Sequence, residues 1–102
     1  MEFVNLTPHR VVVVDGPTLL PSGQVARCTT TSSPAGQHGG VGLSRTVFGE
    51  VVGLPDPIPG VLFIVSALVR SAVLDRHDVA SPGDLVRDSA GAVVGCLGFV
   101  IN

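Results

Sequence analysis

The hydrophobic pattern is sharpest between residues 59 and 78. Val61–Val65 is five apolar residues in a row, and its length and β-branched content predict a buried strand. Beyond Ser66 the period changes. Leu68, Val69, Ala72 and Val73 fall at i, i+1, i+4 and i+5, with Arg70, Ser71 and Asp75 polar, which describes a one-sided helix. Ser66 is then the N-cap and Ala67–Leu74 the helix. No other stretch carries a convincing helical period.

The remaining pattern is of short strands separated by turn chemistry. Strands are predicted over Glu2–Leu6, Arg10–Val14, Thr18–Leu20, Gln24–Thr31, Arg45–Val52, Leu85–Asp88 and Ala92–Ile101. The punctuation is Thr7-Pro8-His9, Asp15-Gly16-Pro17, Pro21-Ser22-Gly23, Ser81-Pro82-Gly83-Asp84 and Asp88-Ser89-Ala90-Gly91. Residues 32–44 are rich in glycine and serine without periodicity, and predict a mobile loop. Leu54–Gly60 holds three prolines and predicts a rigid connector. The expected fold is mainly β, of the α+β class, occupying residues 1–102 as a single domain. It would be a small twisted sheet or open barrel of about seven short strands with one short helix.

Composition adds one expectation. With 45% hydrophobic and only 14% charged residues in 102, apolar surface is expected to remain on the outside of one chain, and its natural outlet is a homo-oligomer. The net charge of −2 and an aromatic set of four Phe argue against nucleic-acid binding. The longest uninterrupted apolar run is far shorter than the ~20 residues a membrane helix needs. The first residues lack a basic segment followed by an apolar one, so a cytoplasmic location is expected, with Cys28 and Cys96 reduced and buried.

Several landmarks occur together: Asn5-Leu6-Thr7-Pro8-His9, Pro21-Ser22-Gly23, Val47-Phe48-Gly49-Glu50-Val51 with Gly53-Leu54-Pro55, Phe63–Val69, Arg76-His77-Asp78, Pro82-Gly83-Asp84, Val86-Arg87-Asp88 and Gly95-Cys96. In order and spacing they resemble a widespread family of small bacterial and phage proteins, across nearly the whole chain except residues 32–44. The resemblance brings no established activity. The occurrence of that family in phage genomes implies sequestration of a host signalling molecule.

Candidate chemistry gathers at three places. Ser66, between a buried strand and a helix, either caps that helix or joins the first N–H groups, from Ala67 onward, in holding an anion. Arg76 and Asp78 leave the helix two residues apart and either pair with each other or grip a phosphate or carboxylate. Asn5, Thr7 and His9 alternate along the first strand and either satisfy loop backbone or form the polar wall of a pocket. Arg70 and Arg87 are further cationic candidates. No P-loop and no G-x-G-x-x-G is present, so no cofactor is expected. His9, His38 and His77 lack metal-ligand spacing.

The expected function is a cytoplasmic, homo-oligomeric binding protein for a small anionic, nucleotide-like ligand. Asn5, Thr7, His9, Ser66, Ala67, Arg76 and Asp78 would line the site, and residues 32–44 would cover it, over a neighbouring subunit's site in one arrangement. One alternative is a hydrolase or lyase using His9 or His77 with Asp78, although Ser66 lacks the G-x-S-x-G elbow. Another is a structural or protein-interaction module.

Overall fold

A computed structural model describes residues 1–102. The elements in chain order are β1 (Glu2–Asn5), β2 (Val11–Val12), β3 (Thr18–Leu19), β4 (Arg27–His38), β5 (Val41–Val52), β6 (Val61–Ile64), α1 (Ala67–Ala72), β7 (Val79–Arg87) and β8 (Val93–Ile101). The fold is mainly β with one short helix, and its sheets are open, as expected. The main sheet has the order β1-β6-β7-β8. Its first three strands are parallel, and β8 runs antiparallel to β7.

The continuous apolar run of β6 follows from burial on both faces. Alternation along the strand sends Phe63 and Val65 to one side and Ile64 to the other. Phe63 and Val65 meet Leu6, Ala26, Val79 and the inward residue of α1, Val69. Ile64 meets Val11, Ala80 and Cys96. The helix thus covers one face of the sheet and β2 the other.

Ser66 caps α1 as expected, its Oγ accepting from the Val69 N–H at 3.2 Å. The helix ends at Ala72, not Leu74, because its carbonyls are taken elsewhere. Asn102 Nδ2 donates to the Arg70 and Val73 carbonyls at 3.0 Å each, and approaches that of Arg76 at 3.3 Å. Such a cap comes from the far end of the chain and leaves no mark near the helix.

Two expectations are overturned. Residues 32–44 are not a mobile loop: they form most of the outer part of a β4–β5 hairpin, with Thr31 opposite Val47 and Ser33 opposite Arg45. The reversal is made by Gly39 and Gly40, both at positive φ (58° and 79°), the backbone that a two-residue hairpin turn requires. The turn expected at Ser81–Asp84 lies inside β7, where Pro82 faces Phe99 and Gly83 faces Gly98. Proline is accepted there because β6 pairs with β7 only at Val79 and Ala80, leaving an edge beyond them. Two strand boundaries also differ from those predicted. The Val11–Val14 run pairs with β3 only at Val11–Val12, and Val13 bridges to Cys96 before the chain bends at Asp15, whose φ is 58°; β4 begins at Arg27, not Gln24, and runs on to His38.

The β4–β5 arm makes the molecule long. Its Cα radius of gyration is 15.9 Å, against about 13 Å for a compact chain of this length. Only 13 residues of 102 are buried, and residues 36–50 are all exposed.

Candidate functional site

The three sequence candidates meet different fates. Asn5 is 2% exposed, and its amide is fully occupied. Nδ2 donates to the carbonyls of His9 (2.8 Å) and Leu19 (3.0 Å), while Oδ1 accepts from the Thr7 N–H (2.9 Å) and the Thr7 hydroxyl (2.7 Å). β1 ends at Asn5, so Thr7 and His9 follow in a bend and do not continue a strand face. The expected polar wall is instead a closed network fastening that bend to β3. His9 contributes its carbonyl to it, and its side chain is exposed.

Arg76 and Asp78 pair with each other. Arg76 Nε and one terminal nitrogen reach the two carboxylate oxygens at 2.7 and 2.8 Å, and the same terminal nitrogen donates to the Pro55 carbonyl at 2.9 Å. Hydrogen bonding from Arg76 holds the Asp78 carboxyl below its ordinary range, against the opposing effect of burial. The same contact raises the guanidinium pKa of Arg76. The pair ties the end of the helical segment to the proline connector. His77 Nδ1 lies 3.2 Å from the Asn102 carbonyl oxygen, and no hydrogen bond joins His9 or His77 to Asp78.

The six cations of the chain are all arginines, and three are engaged internally. Besides Arg76, Arg70 Nε donates to Ser81 Oγ (2.8 Å), with a second nitrogen on Asn102 Oδ1 (3.2 Å), and Arg87 donates to the Gly91 carbonyl (2.9 Å). The only ion pair is Arg76–Asp78. Arg10, Arg27 and Arg45 make no side-chain hydrogen bond or ion pair within the chain.

Two of these three line clefts. A cleft of about 430 Å³ runs between the start of β4 and the start of α1, lined by Pro8, Val25, Arg27, Thr29, Ser66 and Leu68, with Ala26, Cys28 and Val69 below. A second, of about 400 Å³, lies between β2 and the β7–β8 hairpin, with Arg10 beside an apolar wall including Val12, Leu85 and Val94. The first has both Ser66 and Arg27 in its lining. Thr29 and Leu68 are also in its lining; helix geometry leaves the Leu68 N–H without an intrahelical acceptor. Ser66 Oγ accepts from Val69, so its own hydrogen remains free to donate.

Of the residues expected from sequence only Ser66 lines this cleft; Ala67 does not, and Arg27, Thr29 and the apolar side contributed by Pro8 and Val25 were not expected. Arg27 sits where the alternation has no clean apolar face. Its significance emerges only once the other arginines are seen to be engaged. Cys28 and Cys96 are both unpaired, and Cys28 is half-buried beneath the cleft where full burial was expected. No cluster of three or more His, Cys, Asp or Glu side chains is placed to hold a metal ion. No helix is long and apolar enough to cross a membrane. Compared with protein-family models, curated proteins and solved structures, the chain has no match.

Proposed function

We propose that the protein is a cytoplasmic, homo-oligomeric binding protein for a small anionic, nucleotide-like molecule, held in the cleft between β4 and α1. The observation that carries this reading is that Arg27, which has no side-chain partner within the chain, lines a cleft of about 430 Å³ together with Ser66 and Thr29. That volume lies within the ~300–1,000 Å³ typical of small-molecule sites.

The division of labour follows from the lining. Arg27 supplies charge for a phosphate or carboxylate, with Ser66, Thr29 and the first helical N–H groups as neutral donors. Pro8, Val25 and Leu68 offer an apolar surface for a ring. Asn5, Thr7, Arg76 and Asp78 serve this site from behind, fixing the bend that carries Pro8 and the connector that anchors the helix. A phage-type sequestering role needs only tight binding, and such a site requires no reacting side chain.

Assembly from several copies is favoured by the low burial and by the elongated shape, since an arm exposed along both sides has no packing partner within the chain. The glycine-turned tip of one copy's arm would then lie over the cleft of another. The test is to titrate purified protein with the small molecule recovered from it by denaturing extraction. Arg27→Ala should weaken binding at least tenfold with unchanged thermal stability. Unchanged affinity would remove this site assignment.

The exposed apolar surface also favours a second reading, a module that binds another protein. An absence of any extractable ligand, with one protein retained stoichiometrically through purification, would support it.

A further inference from the structure

The β4–β5 arm is a two-stranded ribbon with two outer edges, and the chain treats them differently. Along β4 the residues are small and polar, Thr29–Ser33, followed by Pro34, which offers no N–H. These are features that blunt an edge against strand addition. Along β5 there is no proline; its charges are Arg45 and Glu50, the latter at a bulge near the root, and Val41, Leu43, Val47 and Phe48 are 64%, 47%, 47% and 41% exposed. A long apolar edge with its N–H and C=O groups open is a template for another strand.

The surface area indicates how much contact is missing. The chain exposes 6685 Å², whereas a compact monomer of its mass exposes about 5,400 Å². The excess of roughly 1,300 Å² exceeds the ~800 Å² that each partner buries in a standard stable interface. The edge of β8 is the other apolar candidate, but Val14 already donates to its Cys96 carbonyl at 2.8 Å and interrupts it.

We propose that β5 pairs antiparallel with β5 of a second copy about a two-fold axis, joining the two arms into one four-stranded ribbon. This rests on the reading of the protein as an assembly of copies, and it assigns the surface that builds the assembly. A two-fold contact is self-complementary, so the same bare edge serves both partners. Antiparallel pairing has a functional consequence. It sets the Gly39–Gly40 tip of each arm beside the root of the other, where Val52 stands opposite Arg27. The tip of one copy thereby reaches the region of its partner's cleft.

Proline can probe the edges separately. A proline fits an antiparallel ladder where its missing donor points away from the paired strand. Pro34 stands opposite Ser44, and alternation gives the Ser32–Thr46 pair the same geometry, with both N–H groups outward. Thr46→Pro therefore removes an outward donor from β5, and Ser32→Pro removes one from β4, with the hairpin ladder retained. Val47→Lys places a charge on the β5 edge without altering the backbone.

The measurement is light scattering coupled to size exclusion, with far-UV circular dichroism to establish folding. Thr46→Pro and Val47→Lys should each halve the wild-type mass, while Ser32→Pro leaves it unchanged. A wild-type mass of 10.4 kDa would overturn both the assembly and this pairing. An assembled wild type whose mass survives Thr46→Pro and Val47→Lys would overturn the pairing alone. Dissociation by Ser32→Pro would also overturn it, by implicating the β4 edge.

Discussion

Replacing Asn5 by alanine separates a structural role from a ligand-binding one. The side chain makes four hydrogen bonds, but they are not equally costly to lose. The Thr7 hydroxyl lies 2.9 Å from the His9 carbonyl and can donate there once Asn5 is gone, so that carbonyl keeps a partner. The Leu19 carbonyl keeps its place opposite Val11 in the β2–β3 ladder, so the Thr7 N–H is the group left without a partner. At about 1–3 kcal/mol for a buried group left unsatisfied, moderated by the partial exposure of Thr7 and added to the net loss of the bond to Leu19, the loss comes to about 2 kcal/mol. That is a sizeable part of the ~5–15 kcal/mol stabilising an ordinary domain, and it corresponds to a fall in melting temperature of about 8–16 °C. Urea unfolding at equilibrium measures it directly, as a lower midpoint at unchanged slope. A loss under about 1 kcal/mol, accompanied by weaker ligand binding, would show that Asn5 faces the ligand and that the closed network is not its role.

Other outcomes follow from single contacts. At Gly53, φ is 81° and an added Cβ would sit against the Val25 carbonyl oxygen. Gly53→Ala should therefore cost about 2 kcal/mol or more, read by thermal unfolding. Because the Asp78 pKa is depressed in the folded state, its contribution is complete above the ordinary carboxylate value near 4 and is lost as pH falls through the folded value. Wild-type stability should consequently decline more steeply than that of Asp78→Asn below about pH 4, as followed by urea midpoints across pH. Asn102→Ala removes the donor from the Arg70 and Val73 carbonyls and a partner from Arg70. Amide exchange in α1 should accelerate while the β4–β5 ladder stays protected.

The parts of the fold legible in sequence are those where burial writes a period. β6 is buried on both faces and α1 on one, so the run Val61–Val65, the switch at Ser66 and the capping serine could all be read directly. The arm is exposed on both faces and has no burial to impose alternation; only Gly39-Gly40 records its turn. Pro82-Gly83 reads as turn chemistry because local sequence does not reveal that β7 loses its β6 neighbour after Ala80. At the site, Ser66 is legible from the strand–helix junction. Asn5 and Arg76 could be picked out as polar groups needing partners, but not which partners they find. Arg27 stands out only when the internal contacts of Arg70, Arg76 and Arg87 have been placed in space.

The central claim is that the cleft between β4 and α1 holds a small anion, and native mass spectrometry followed by denaturing extraction tests it most directly. The expected result is an assembly carrying a stoichiometric small molecule with a phosphate or carboxylate, released on denaturation and absent from Arg27→Ala. A bare wild-type assembly that binds no nucleotide, or a bound molecule retained undiminished in Arg27→Ala, would contradict it.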